Sequence, residues 1–520
     1  MATVCVERKI DSNLTGLSFA EEVCLKQLPT IAEDGADPVW YGLEPNSYSD
    51  LGGELTTVAR TPIDPSRQNK KGTVTDLDAS GGFNIDFTKS NMNRLLQGFF
   101  FADAREKPTT QSVKAVAIPI TSVASATDQY NAASGLAVFN KAGYLVFASG
   151  FAAAANNGIK TVTSAAAGNV TVGDALLDEA APPAGASLQV VGFQFPADDV
   201  AITVAGGIPT LTSTAANLNT LGLIPGEWVF LGGDNITSRF NNNVGFARIG
   251  SITAGAIVFD DVTWTPVAEA GAGKAVRVFF GMLIKNEATP DLIKRRSYNI
   301  ERTLGKGATD TQAEYLEGAV ANEFTLNIPQ ADKINADLTF VACDNTYRSG
   351  EVDDEIKDGT RVPSLGEDAF NTSSNVYRIK MAVIDPASAN PAALFGYVTE
   401  ANVSINNGVT PNKAVGVLGA FDTSAGNFEV GGSVTAYFTT VAALKAIRNN
   451  ADVGMSVIAT AKNAGFLFDI PLLGLGGGRN NVEKDAPITV PLTPAGAQNP
   501  LGYTMLYASF AYLPSIAMPQ

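Results

Sequence analysis

The chain has 520 residues, 45% of them hydrophobic and only 17% charged, with a net charge of -16 and no histidine. Such a length exceeds one ordinary hydrophobic core, so two or three packed units are expected. The missing histidine excludes Ser-His-Asp and Cys-His catalysis and removes the commonest zinc ligand, and the acidic balance disfavours a nucleic-acid binder with a basic groove.

The charged fraction lies below the roughly 25% usual for soluble proteins, which leaves surface available for contact with other subunits. Glycine (50) and proline (26) are spread along the chain, the distribution expected of many short strands joined by tight turns. The composition therefore predicts a mainly all-β protein. Cys5, Cys24 and Cys343 have no metal-ligand spacing and leave one over from any pairing, so they read as reduced thiols of a cytoplasmic product. The opening MATVCVERKI lacks the apolar core of a signal peptide, and no stretch approaches the roughly 20 apolar residues that span a bilayer. Assembly in the cytosol without a membrane is the expectation.

In chain order, residues 1–36 read as an N-terminal arm. Residues 37–111 alternate apolar and polar positions, with Val58, Ile63, Val74, Phe83 and Phe87 marking half-buried antiparallel strands. GFNIDF sets Phe83, Ile85 and Phe87 on one face, and TKSNMNRLLQGFFF then places Met92, Leu95, Leu96 and Phe99 at helical spacing behind a Thr/Ser cap. Residues 112–280 change to small, sparsely charged side chains, which marks an inserted β-rich domain. The stretch from PGEWVF to VFDD has the size of a small closed barrel and is expected on an outer surface.

Strands resume in 281–350, at YNIERTLG and through EGAVANEFTLNIPQADKINADLTFVAC, and complete a discontinuous first unit. The acidic stretch EVDDEIKDG opens a linker over 351–375, and a second β-rich unit occupies 376–520. GGSVTAYFTTVAALKAI repeats the strand, Phe-Thr and short helix of SGGFNIDFTKSNMNRLL, with Phe438 in the place of Phe87. A weak tandem duplication accounts for that likeness.

Chemistry is sought in several motifs and not found. GAGKAV lacks the spacing and the Ser/Thr of a phosphate loop, so it reads as a turn; GLGGGR lies between strands and reads as a hairpin tip. The carboxylates Asp353, Asp354 and Glu355, and the pair Asp260 and Asp261, lack a calcium-loop pattern and read as solvated loops. No catalytic, cofactor-binding or metal-binding residue is therefore predicted. The basic run with Arg60, Arg67, Lys70 and Lys71 lies between two strands without interleaved aromatics, and a basic hairpin facing an acidic neighbouring subunit is at least as good a reading as nucleic-acid contact.

Taken together, the segment from WYGLEPNSYSD to RLLQGFFF, LEGAVANEFTLNIPQADKINADLTF, NVSINNGVTPNKAVGVLGAFDTSAGNFEVGGSVTAYF and FDIPLLGLGGGRNNVEKDAPITVPL resemble segments of the tail tube proteins of long-tailed bacteriophages of the siphophage type. The likeness covers 37–110 and 296–520 well and the insert loosely, and it rests on patterning rather than on an invariant motif.

The resemblance implies β-sandwich or barrel tube domains, each with a flanking helix, whose strands join across subunits into rings stacked as a hollow tube. It implies a structural, non-enzymatic virion protein that carries no cofactor, and a lumen through which DNA passes without specific binding during ejection. Implied partners are other copies of the chain, in trimeric pseudo-hexameric or hexameric rings, and the tape measure, tail tip and tail terminator proteins. Arg60, Arg67, Lys70 and Lys71 are the implied contact to the next ring. A carbohydrate-binding or adhesive β-protein is the alternative, although Trp40, Trp228 and Trp264 are too scattered for a sugar platform. A carboxylate-only hydrolase comes last, since no pair is singled out.

Overall fold

The computed structural model describes residue 10 and residues 12–63, 65–111, 117–305, 311–351 and 353–519; Cys5 lies outside the described residues. Strands dominate, and the described α-helices span only 4, 5 and 7 residues. The chain divides into two compact units. One comprises Met1–Ala102, Thr289–Ala369 and Glu400–Ser433, and the other Asp103–Ala288, Phe370–Thr399 and Val434–Gln520. The insert and most of the C-terminal segment thus share a unit, whereas residues 400–433 lie in the first.

Within the first unit, two sheets meet through one long strand, Gln312–Ile328. Its first half pairs with Tyr298–Leu304 and with Asp344–Arg348, and the sheet continues through Thr15–Glu21 and Val39–Leu43 to Thr360–Val362, the last in parallel. Residues 15–21 of the expected arm are therefore an interior strand. The second half pairs with Asn335–Ala342 and with residues 401–406, and this sheet continues through Lys70–Asp86 to Pro45–Arg60. Between the halves stands Gly318 with φ +63, a left-handed conformation that suits a residue without Cβ.

Period-two alternation fills the space between the sheets. Phe83 and Ile85 are 2% exposed and Phe87 is fully buried. Tyr298 of one sheet meets Phe340 of the other at 6.3 Å, edge to face, and Phe83 stacks on Phe340 at 6.0 Å. The Leu95–Phe99 helix is buried throughout and sets Phe99 5.7 Å from Phe324. Met92, Leu95, Leu96 and Phe99 are buried, as their spacing implies. The expected Thr/Ser cap is absent, because the helix starts seven residues after Thr88: Arg94 stands at the N-cap and makes no side-chain capping bond, while Thr88 and Ser90 donate to Glu367 instead. Ile63 is also no strand residue; it lies in the connecting loop, fully exposed.

Within the second unit, thirteen strands form one antiparallel series from Glu269–Ala270 at one end to Ile120–Ala124 at the other. The expected small closed barrel is not formed. The Arg277–Phe280 strand pairs with both Trp228–Leu231 and Ser187–Gln194, so the two parts of the insert run on as one sheet. A further sheet in this unit joins Val376–Val383, Val453–Ala461 and Ala464–Gly477. The last of these pairs through residues 465–469 with Leu506–Phe510 and through 473–477 with Thr489–Gly496.

Gly474, Gly476 and Gly477 of GLGGGR accordingly sit in a strand rather than at a hairpin tip, since their backbone groups are used by that pairing. GAGKAV is a turn, closed by Lys274 N–H donating to the Gly271 carbonyl at 3.0 Å. The insert packs on the second sheet: Trp228, Phe230, Phe246 and Phe279 share a core with Ile458, Leu467, Tyr503 and Phe510.

The repeated strand-to-helix pattern exists in both places, as Lys70–Asp86 followed by Leu95–Phe99 and Glu429–Tyr437 followed by Ala442–Arg448. The Phe87 and Phe438 amides, one residue past each strand, donate to Ile334 and Ile488 carbonyls at 2.9 Å each. Phe87 is fully buried and Phe438 only half-buried, so the two positions match in backbone more closely than in packing.

Candidate assembly surfaces

The most prominent surface feature of the first unit is the hairpin of Pro45–Arg60 and Lys70–Asp86, paired from Pro45 opposite Ile85 to Arg60 opposite Lys70. Its basal part is anchored by Asn335–Ala342, which pairs with residues 79–86. Gly81, with φ +140, allows this packing: a Cβ there would lie 2.3 Å from the Leu51 Cα.

Past Glu54 every described residue on the Pro45–Arg60 strand is exposed, and so is most of the opposing stretch. Leu55 (54%), Val58 (55%), Ile63 and Val74 (49%) present apolar surface to solvent. A two-stranded ribbon with no third layer is marginal in water, so this part gains by docking.

The four basic residues singled out in the sequence are exposed at the outer end of that hairpin. Register brings Arg60 directly opposite Lys70, with Lys71 adjoining, and Arg67 sits in the loop with φ +57. Like charges across a ladder repel.

A second, shorter hairpin, Thr410–Lys413 with Ala420–Ser424, lies against the base of the first. Lys413 reaches Asp76 at 2.6 Å and also Asp78. That hydrogen bond holds the Asp76 carboxyl below the usual range. Arg295 pairs with Asp422 at 3.2 Å, and the Ala420 amide donates to the Cys343 carbonyl at 3.1 Å.

The outer face of the sheet carrying these hairpins is a ladder of tied-down polar side chains. Asn84 Nδ2 donates to Asn335 at 3.0 Å and to Asp337 at 2.7 Å; Asn327 Nδ2 donates to the same two residues at 3.0 and 2.6 Å. Asn46 donates to Asn84 and Asp86, and Asn406 to Glu323 at 2.9 Å. The amide donors are used on carboxylate and amide oxygens. No aromatic or basic residue occurs at the outward positions 84, 86, 335, 337, 323, 325, 327, 402, 404 and 406.

The acidic stretch expected to be a linker is fastened to the first unit. Lys357 Nζ reaches Asn299 and Glu317 at 2.7 Å each, Arg361 pairs with buried Glu301, and Trp40 Nε1 donates to the Asp358 carbonyl at 2.9 Å. Asp354 accepts from the Ser349 amide at 2.9 Å, which lowers its pKa. Among the described residues no group of three or more Cys, Asp or Glu side chains could hold a metal.

Asp260 and Asp261 correct the solvated-loop reading. They lie in the strand Ala256–Val262 of the second unit and pair with Arg248 at 2.8 Å and Arg378 at 2.9 Å. Arg248 also reaches buried Asp469 at 3.2 Å. Burial pushes the Asp469 carboxyl up to about 6, against the pull of Arg248, and burial pushes Lys380 nearby down to about 8. This cluster ties the insert to the second sheet. Sequence spacing carried little sign of it, because Arg378 and Asp469 are each more than a hundred residues from the Arg248, Asp260 and Asp261 they join.

The three tryptophans are buried, at 0%, 0% and 6% exposure for Trp40, Trp228 and Trp264, and give no sugar platform. By class, this is a mainly β chain whose two hairpins carry solvent-exposed apolar and basic residues. Residues 12–223 and 226–497 match the family model described as phage tail tube protein, and the chain belongs to that family. No curated protein matches it. Membership makes it a structural component of the phage tail that self-assembles into the tube.

Proposed function

We propose that the chain polymerises as stacked rings into a tail tube through which genome DNA passes during ejection, in a phage of the siphophage type. The observation carrying this reading is the long hairpin, anchored at its base and solvent-exposed at its outer end, with Arg60, Arg67, Lys70 and Lys71 clustered there. In the assembled tail its tip contacts the adjacent ring. Each chain supplies two tube-like domains, so three chains close a ring of pseudo-sixfold symmetry. The insert 112–280 decorates the outside.

The Asn/Asp ladder supports a place on the channel wall. Its side chains are already hydrogen-bonded to one another, and its carboxylates repel phosphate, so DNA slides past without adhering. The tube carries out no catalysis and takes no cofactor. The tape measure protein, tail tip and tail terminator bound its length and ends, and assembly takes place in the host cytoplasm.

Electron microscopy of the concentrated protein tests the proposal. Hollow tubes with threefold end-on averages are expected; sixfold averages would overturn the two-domain ring, and a closed discrete oligomer would overturn the tube. Replacing Arg67, Lys70 and Lys71 by glutamate is expected to abolish polymerisation while leaving the monomer folded, and normal tubes from that variant would remove the hairpin from the stacking contact.

A further inference from the structure

The loop joining the two strands of the short hairpin, residues 414–419, has no place in the stacking contact described above. Its sequence AVGVLG carries no charge, and its side chains point to solvent: Val415 is fully exposed, Val417 46%, Leu418 51% and the adjoining Phe421 54%. The loop is mounted on a fixed base rather than hanging free. Lys413 before it is held by Asp76 and Asp78, Ala420 after it is bonded to the Cys343 carbonyl, and Arg295 grips Asp422 and the Thr423 carbonyl.

The charges around the loop are thus satisfied within the chain, which leaves an apolar crest with nothing to offer a nucleic acid or another polyanion. A patch of this kind marks contact with protein. The crest also adjoins the long hairpin, through buried Leu77. Gly419 lies over Leu77, with the position of a Cβ 3.5 Å from the Leu77 Cδ2, and Leu77 is directly opposite exposed Leu55.

We infer that Val415, Val417, Leu418 and Phe421 form a second self-association surface, occupied in the tube by another copy of this chain. The inference rests on the tube reading. The occupant follows from the family's self-assembly and from the adjacency of the crest to the long hairpin. Basic residues at the hairpin tip supply charge, and this crest supplies apolar burial.

The test is sedimentation and electron microscopy of the concentrated full chain, wild type against Val415→Asp with Leu418→Asp. Both side chains are solvent-exposed, so the variant is expected to keep the wild-type circular dichroism and melting temperature. A concentration threshold for polymerisation raised at least tenfold is the expected result, with an intermediate rise for the corresponding alanine pair. Tubes from the aspartate variant at the wild-type threshold would overturn the inference and leave the tube reading intact. A wild-type chain that forms only a closed discrete oligomer would overturn both. Should the aspartate pair lower the melting temperature, Val415→Ser alone, at the fully exposed position, carries the same comparison.

Discussion

Glu22 shows how a single side chain can organise a unit. Its carboxylate is 8% exposed and takes four donors: Ser297 Oγ at 2.6 Å, and Asn299 Nδ2, the Gly318 amide and the Lys26 amide at 2.8 Å each. One of these, Gly318, is the point at which the long shared strand passes from one sheet to the other. Glu22→Ala leaves buried donors without an acceptor and is expected to destabilise the first unit by about 2–4 kcal/mol. Scanning calorimetry would register this as a lowered transition for that unit.

At the same scale, Asp469 predicts a pH dependence in the second unit. Its folded pKa of about 6 lies above the ordinary value of 3.8. The folded form therefore keeps a proton that the unfolded chain has lost, and the stability this group contributes grows as pH falls from above 6 to below 4. Arg248, Asp260, Asp261 and Tyr503 all act on the same cluster. Arg248→Met leaves Asp469 buried without its cation, costs about 3–5 kcal/mol at pH 8, and raises the Asp469 pKa further. Melts at pH 8 and pH 5 should show the larger deficit at pH 8; an equal deficit at both would remove Asp469 as its source.

At the scale of elements, the long hairpin has a buried base and an exposed outer ribbon. Its basal residues Leu51, Leu77, Ala79, Phe83 and Ile85 are buried, whereas the outer ribbon contributes almost nothing to the core. Replacing residues 55–74 by a short Asn-Gly turn is expected to leave the melting temperature within a few degrees of wild type and to abolish tube formation. A large loss of stability would show that the outer ribbon is part of the fold. Conversely, Leu96→Ala in the buried Leu95–Phe99 helix should cost about 2–5 kcal/mol through the cavity it leaves. A helix this short has no stability of its own and exists because its packing holds it.

The strands themselves were largely legible in the sequence. Phe83, Ile85 and Phe87 alternate because one face of their strand is core, and Tyr298–Leu304 and Val376–Val383 begin within two residues of where the pattern changes. Ile63 was misplaced, because a lone apolar residue in a basic loop looks like a strand position when its neighbours across space are unknown. The basic hairpin tip, too, was visible as a charge run between two alternating segments. The Val415–Phe421 crest was not singled out, because an apolar run in a short hairpin gives the same local pattern as a buried one.

For the molecule as a whole, symmetry is the remaining prediction: threefold rings if each chain carries two tube-like domains, sixfold if it carries one, read from end-on averages. The sequence by itself determined the class of protein. Its composition and alternation specify antiparallel sheets, the missing histidine removes whole families of chemistry, and the patterning of several segments places it among tail tube proteins, because these properties are set by local burial and turn chemistry. Only the tertiary structure decided that residues 15–21 are an interior strand, that Gln312–Ile328 serves two sheets, that Lys357 and Arg361 bind the first unit through Asn299 and Glu301, and that Asp260 and Asp261 are ion-paired. The physical reason is common to all four. Each depends on which segments meet in space, and strand register and charge pairing leave no periodic trace in the sequence.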